Sequence, residues 1–409
     1  MQQAVKKLAY IARKANAPYV EPMNRLCRLI ACGLALCSVL RTGSAQVPPP
    51  FPTTYQQEVG SPLLTNFTIK DYKADPQNWC ATRDGRGLLY VGNSRGLLEY
   101  DGRTWQRYAL PRGSTVRSVL YDSSSGRLYA GGQGEFGFFL PDSAGRLRYT
   151  SLVERLPEAD RNFQDIWTII RLRDGIYFYA DAAIFRFREK EIKPHIYLPK
   201  KNHMFFLAYK VHNEIWIQER QTGLSRIVGD SIQPLPDGDR FAKKFIAAAA
   251  FPGGGALVAT RKDGFFRYVN NRFEPFPIQF KALIERARVY NLVALPGGEF
   301  ALTTLEDGLI LFNADGQLIQ HVNRSLGLMS EMVSDVYADP EGCLWLLLNN
   351  GIARLIYPHP ISMYGLLHGI EGNQLSATRF KGRLYIANYG GVFRLEPGTD
   401  TRRPLFEKV

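Results

Sequence analysis

Gly85–Tyr100 reads GRGLLYVGNSRGLLEY. A turn leads into the apolar run Leu88–Val91, a polar connection follows over Gly92–Arg95, and Gly96 introduces a second run, Leu97–Tyr100. Two short apolar runs joined through a glycine-bearing connection spell a β-hairpin. The pattern recurs as RLYAGGQGEFGFF (127–139), IYFYADAAIFRF (176–187), EIWIQERQTGLSRI (214–227), ALVATRKDGFFRY (256–268), FALTTLEDGLILF (300–312), LWLLLNNGIARL (344–355) and LYIANYGGVFRL (384–395). Equivalents of Gly96 fall at Gly137, Ala183, Gly223, Gly264, Gly308, Gly351 and Gly391, 40 to 46 residues apart. A strand-only repeat of this period predicts propeller blades.

Each hairpin follows a turn rich in Asp, Asn, Gly or Pro, such as Asp122–Gly126 or Asp339–Gly342. Ahead of the turn lies another alternating run (Val116–Tyr121, Val333–Tyr337), and several units close on an apolar outer segment such as Trp105–Tyr108. The expected unit is therefore four antiparallel strands, and the expected fold an all-β propeller. Eight copies fit a seven-bladed ring over 62–364 with an eighth repeat over 365–409 that opens a second propeller. One closed ring of eight fits the count equally. Asn66–Tyr72, ahead of the first inner strand, can supply the outermost strand of the last blade and latch the ring. An eighth repeat outside the ring keeps an open edge, and open edges pair with other chains, so association is expected.

Composition agrees with this class. With 409 residues, 45% hydrophobic and 12% aromatic, the chain can bury a large core and is rich in strand formers. The formal charge of +13 is partly an effect of residues 1–45, which hold seven Lys/Arg and one Glu; 44 basic and 37 acidic residues remain, without a dense basic run. Such dispersion reads as a solvated surface, and no nucleic acid is expected as a partner of this region. Met23-Asn24-Arg25 and Arg28, apolar Leu29–Leu40 and small Gly43-Ser44-Ala45 make residues 1–45 an export signal starting at Met1 or Met23. Its apolar stretch is short for a membrane span, and Leu29-Ile30-Ala31-Cys32 imitates a lipoprotein box with almost no apolar run ahead of it. Residues 46–61 are a proline-rich leader. Cys27, Cys32 and Cys37 leave with the signal. Cys80 and Cys343 read as small buried hydrophobes, although an oxidising compartment permits a bridge.

Two strings imitate catalytic motifs. Gly92–Gly96 satisfies G-x-S-x-G and Gly132–Gly137 satisfies G-x-G-x-x-G, but both elbows require a following helix and both precede strands. The six histidines lack metal-ligand spacing, so no metal and no cofactor are expected. The second-to-third-strand connections converge on one face with the loops entering each inner strand. That mouth is expected to hold Trp79, Arg95, Glu135, Phe136, Trp167, Asp181, Arg220, Arg261, Asp307, Asn349 and Tyr389 as ligand-binding residues, with no catalytic residue. Mixed charge, amides and rings suit a polar ligand with apolar faces, such as an oligosaccharide. Trp216 and Trp345, in second strands, are expected to wedge between blades.

NFTIKDYKADPQNW (66–79), GLLYVGNSRGLLEYDGRTW (87–105), VRSVLYDSSSGRLYAGGQGEFGFF (116–139) and VSDVYADPEGCLWLLLNNGIARL (333–355), with its D-x-x-G-x-L-W core, carry a family likeness. Over residues 62–409 the chain resembles the sensor region of two-component regulator propeller proteins. The resemblance implies an exported, non-catalytic ligand sensor of the periplasm. Its relatives are anchored in the inner membrane and carry two seven-bladed rings, a tyrosine-rich immunoglobulin-like module, a membrane helix and a cytoplasmic output, and a homodimer is the expected assembly of the full-length protein. This chain stops at Val409, which reads as truncation ahead of those parts. A protein-binding scaffold and a propeller glycosidase or lyase are the alternatives; the last needs two axial carboxylates.

Overall fold

The quoted hairpin forms as its spacing requires. Leu89–Asn93 and Gly96–Tyr100 pair antiparallel with Asn93 opposite Gly96. Gly96 sits at φ +122°, and a Cβ there would run into the Tyr108 carbonyl, so the position needs glycine. Asn78–Arg83 on the inside and Trp105–Tyr108 on the outside complete sheet 1. This geometry comes from a computed structural model, which describes residues 58, 60–188, 191, 193–359, 361–398 and 404–409. The export signal, most of the proline-rich leader and Cys27, Cys32 and Cys37 lie outside the described residues.

Sheets 2 to 6 repeat the order. Their innermost strands are Val116–Asp122, Ile166–Leu172, Phe205–Val211, Ile246–Ala250 and Val289–Ala294. Their outermost strands are Leu147–Ser151, His195–Tyr197, Ser231–Pro234, Arg272–Phe276 and Leu318–Val322. Sheet 7 differs in origin. Val333–Asp339, Cys343–Leu348 and Gly351–Ile356 take their fourth strand, Leu64–Phe67, from the start of the described chain, with Leu64 opposite Leu355 and Phe67 opposite Ile352. The expected latch is thus present but ends at Phe67. Thr68 and Asp71 form a capping box that turns Ile69–Tyr72 into a short helix, α1, so the strand expected to reach Tyr72 stops early.

Packing closes the ring at seven. Apolar clusters fill each seam between successive sheets, and the last of them joins sheet 7 to sheet 1 through Tyr72, Leu89, Val91, Leu98, Trp345, Leu347 and Ile352. Phe67 of the closing strand meets Tyr100 and Trp105 edge-on at 5.4 and 5.6 Å. Arg83 of sheet 1 binds both Asp339 oxygens of sheet 7, at 2.7 and 2.6 Å, and Trp345 Nε1 donates to the same carboxylate at 3.2 Å. A single ring of eight is therefore excluded. Trp216 and Trp345 are buried, as their second-strand positions imply. Cys80 and Cys343 are unbridged thiols; Cys343 is buried, and burial pushes the Cys80 thiol far up.

Two of the marker positions depart from the geometry of Gly96. Ala183 does not break its hairpin: the Ala180 N–H reaches the Ala183 carbonyl at 2.9 Å and the connection turns without a left-handed residue. In sheet 2 the left-handed glycine of the connection is Gly134, at φ +61°, while Gly137 lies inside Glu135–Pro141.

The eighth repeat forms its own sheet 8, of Gln374–Phe380, Arg383–Asn388, Gly391–Glu396 and Leu405–Lys408. Its buried cluster is small, Ile370, Ile386, Leu395 and Phe406, and every residue of Gln374–Phe380 is exposed. It is tied back to the ring where Ser61 and Met363 exchange backbone hydrogen bonds of 2.8 and 2.7 Å, and where Arg379 binds Glu58 at 2.6 Å. A hollow of about 590 Å³, lined by Leu64, Leu326, Met363 and Leu366 among others, lies between the closing strand and the segment that leads into sheet 8.

Candidate functional site

The innermost strands carry a shared irregularity. In six of the seven ring sheets the pairing slips by one residue near the start of that strand, at Trp79, Arg117, Trp167, Phe206, Tyr290 and Ser334. A bulge re-aims the side chain it carries. Sheet 5 lacks the slip and offers Phe245 from the residue before its inner strand. One pair of these side chains, Trp79 and Trp167, meets across sheets that are not neighbours, which only residues near the ring axis can do.

On one arc, Trp79 of sheet 1 and Trp167 of sheet 3 touch edge-on at 6.3 Å, skipping sheet 2. Arg117 of sheet 2 fills the wedge, 3.9 Å from the Trp79 ring centre and 5.0 Å from that of Trp167. Its charge is answered by Asp165 at 3.1 Å, and Asp165 is held by backbone pairing with Gln133 of sheet 2. Trp79 Nε1 donates to Ser94 Oγ at 3.2 Å, which fixes the indole plane. Burial first, and the Asp165 charge second, push the half-buried Asp181 carboxyl upward.

On the opposite arc, Phe206, Phe245 and Tyr290 from sheets 4, 5 and 6 form a chain, with centroids 6.1 Å apart edge-on and then 6.3 Å apart stacked. Arg261 lies 3.7 Å over Phe245 and Arg220 5.7 Å over Phe206. Guanidinium on a ring face is favourable, more so where water is excluded. Deeper on the axis, Asp335 of sheet 7 accepts from Asn291 Nδ2 at 2.9 Å and from the Val336 N–H at 2.8 Å. Burial pushes its carboxyl up to about 7.

Of the residues expected at the mouth, Trp79, Trp167, Asp181, Arg220 and Arg261 belong to these arcs. Arg95 is exposed on its hairpin, where its carbonyl accepts from Arg107. Asn349 accepts from Ser330 Oγ at 2.6 Å and braces the loop ahead of sheet 7. The other four are corrections. Phe136 is wholly buried among Phe163, Phe178 and Phe185, because strand alternation turns it into the seam between sheets 2 and 3. Glu135 is spent on the Tyr149 and Ser151 hydroxyls of its own outermost strand. Asp307 is buried and holds Arg286, His321 and Asn323, away from the axis. Tyr389, 87% exposed, belongs to sheet 8 and not to the ring. The expectation missed Arg117, Phe206, Phe245, Tyr290 and Asp335. Aligning the repeats on their first strands, with the residue after Asn78, Val116, Ile166, Phe205 and Val289 in register, would have lined up most of them.

Among the described residues no group of three or more His, Cys, Asp or Glu side chains is placed to hold a metal ion. No helix there is long and apolar enough to cross a membrane. Both imitation motifs are strand–turn–strand.

No protein-family model matches the chain, and no curated protein matches it. Solved structures do, at the level of fold. Two crystal structures of one extracellular domain from B. thetaiotaomicron, described as part of a one-component system in one case and of a hybrid two-component system in the other, are similar with a TM-score of 0.58 at 18% identity. Each match covers 85% of this chain, which spans about half of theirs, 48% and 47%. Virginiamycin B lyase from Staphylococcus aureus, solved with quinupristin, gives a TM-score of 0.55 at 16% identity over 72% of this chain and 98% of its own. The WD40 propeller domain of Doa1 gives 0.55 at 13% over 74% and 98%. These matches define the class as a β-propeller.

Proposed function

We propose that this chain is the extracytoplasmic, non-catalytic ligand-sensing propeller of a two-component-type regulator, exported to the periplasm by residues 1–45. Residues 62–364 form its ring, behind a leader at 46–61, and 365–409 begin a second propeller. The observation that carries the reading is the contact of Trp79 with Trp167 around Arg117. Rings and hydrogen-bonding groups from several blades meet there on a rigid frame, which is how loop-borne sites are built on such scaffolds. Flat rings beside amides and charges suit an oligosaccharide, which presents apolar faces and hydroxyl edges. The motif resemblance and the fold shared with a signalling protein's extracellular domain support the regulatory setting. Binding would signal by favouring one arrangement of a homodimer, which requires different affinity for the two arrangements.

A thermal-shift screen against a glycan panel tests the reading. A ligand at 100 times its Kd stabilises by about 2.7 kcal/mol, and Trp79→Ala and Trp167→Ala should each abolish that shift. Silence across the panel would sink the glycan sensor. It would favour a protein-binding scaffold, for which the exposed Leu366, Leu375, Phe380 and Tyr389 at sheet 8 are the supporting observation. Release of product from any glycan would sink the non-catalytic reading.

A further inference from the structure

The two arcs treat their arginines differently. Arg117 is neutralised by Asp165. Arg261 instead donates from Nε to the Val289 carbonyl at 3.0 Å and rests on Phe245, and Arg220 rests on Phe206; neither has a carboxylate within ion-pair distance among the described residues. The acids of the same loops are already taken. Glu306 holds Arg288 at 2.8 Å, Asp263 holds Lys244 at 3.3 Å, and Glu219 accepts from Thr222 and faces His203 Nδ1 at 3.1 Å.

A half-buried guanidinium without a counter-charge is costly, because it has lost water and gained no anion. Burial first, and Arg288 next, pull the Arg261 pKa below its ordinary value. An anion from outside would relieve the strain on this charge, and the planar fork of arginine meets carboxylate or sulfate oxygens two at a time. Resting on the reading of the mouth as a glycan site, we infer that its ligand is an acidic oligosaccharide. Its carboxylate or sulfate group docks on Arg261 with Arg220 as second cation, and its sugar rings stack on Phe206, Phe245 and Tyr290.

Calorimetric titration of the full chain with size-matched oligogalacturonate, its methyl ester, sulfated dextran and plain dextran oligomers tests this. At least one charged probe should bind ten-fold or more tightly than its uncharged counterpart at low salt, with the advantage shrinking as salt rises. Which pair shows it tells carboxylate from sulfate. Arg261→Gln should erase the advantage, and Arg261→Lys, which keeps the charge without the fork, should recover only part of it. Arg220→Gln should reduce it and serves as the readout if Arg261→Gln melts early. Equal binding of charged and uncharged partners, or an advantage that survives both glutamine variants, overturns the anionic ligand and leaves the glycan site standing. Absence of heat with all four probes and with the wider glycan panel overturns both.

Discussion

Sheets 7 and 8 have nearly the same grammar and opposite surroundings. Both read inner strand, turn and Leu-bearing hairpin, and both slip register at the second residue of the inner strand, at Ser334 and at Leu375; the outer strand follows in sheet 8 and comes from Leu64–Phe67 in sheet 7. In sheet 7 every residue of Cys343–Leu348 is buried; in sheet 8 only Ile386 of the matching strand is. Ser334 is 5% exposed, whereas Leu375, the more apolar of the two, is 59% exposed. A four-stranded blade cannot hide its own faces. Burial is conferred by the sheets on either side, and sheet 8 has a neighbour of this kind on neither.

The comparison can be broken most decisively at equivalent leucines. Leu344→Ala in sheet 7 should cost about 2–5 kcal/mol by chemical denaturation, whereas Leu384→Ala, at the matching place in sheet 8, should cost under about 1 kcal/mol. Equal losses would mean that sheet 8 is packed in solution as tightly as the ring. Asp339→Ala should come next, at about 2–3 kcal/mol, because it unpairs the Trp345 indole at the closing seam and leaves Arg83 with only the exposed Glu341 as counter-charge. Gly351→Ala should lose about 2 kcal/mol or more, since its Cβ would press on Met329 and on the Phe67 carbonyl of the closing strand. Gly391→Ala meets only the flexible Lys408 side chain and should lose about half as much.

A smaller effect sharpens the electrostatics of the axis. Between roughly pH 4 and 7 the unfolded chain releases the Asp335 proton while the folded chain retains it, so this residue lowers stability as pH rises through that window. Asp335→Asn keeps the acceptor for Asn291 and should raise stability at pH 8 while changing it little at pH 4. A gain of equal size at both values would show that the carboxyl is not the buried proton holder described. Least in energy is the open strand Gln374–Phe380. Its amides should exchange orders of magnitude faster than those of Val333–Asp339, and concentration-dependent light scattering should weaken when Phe380 is replaced by Asp.

The hairpin repeat was legible because strand alternation and turn glycines are local properties, and the copies carry them, with Ala183 in the third the exception. The closing strand was nearly legible: its place before the first blade was clear, but the Thr68–Asp71 capping box that ends it at Phe67 is a side-chain contact that period counting ignores. The mouth was only half legible. Trp79 and Trp167 stood out by residue type, while Arg117 and Phe245 look like ordinary strand and loop residues until a bulge, or its absence in sheet 5, turns them toward the axis. Glu135 and Asp307 failed for the converse reason. Both sit in the right connections, and both were claimed by the outermost strand of their own sheet, a pairing across two strands that linear reading does not display.

The exchange of backbone hydrogen bonds between Ser61 and Met363 puts the passage into the ring beside the passage out of it, three residues before the closing strand begins. Sheet 8 therefore hangs from the same stitch that locks the circle. A tilt of that appendage would tug first on the clasp, so motion outside the disc and tension within it share one mechanical joint.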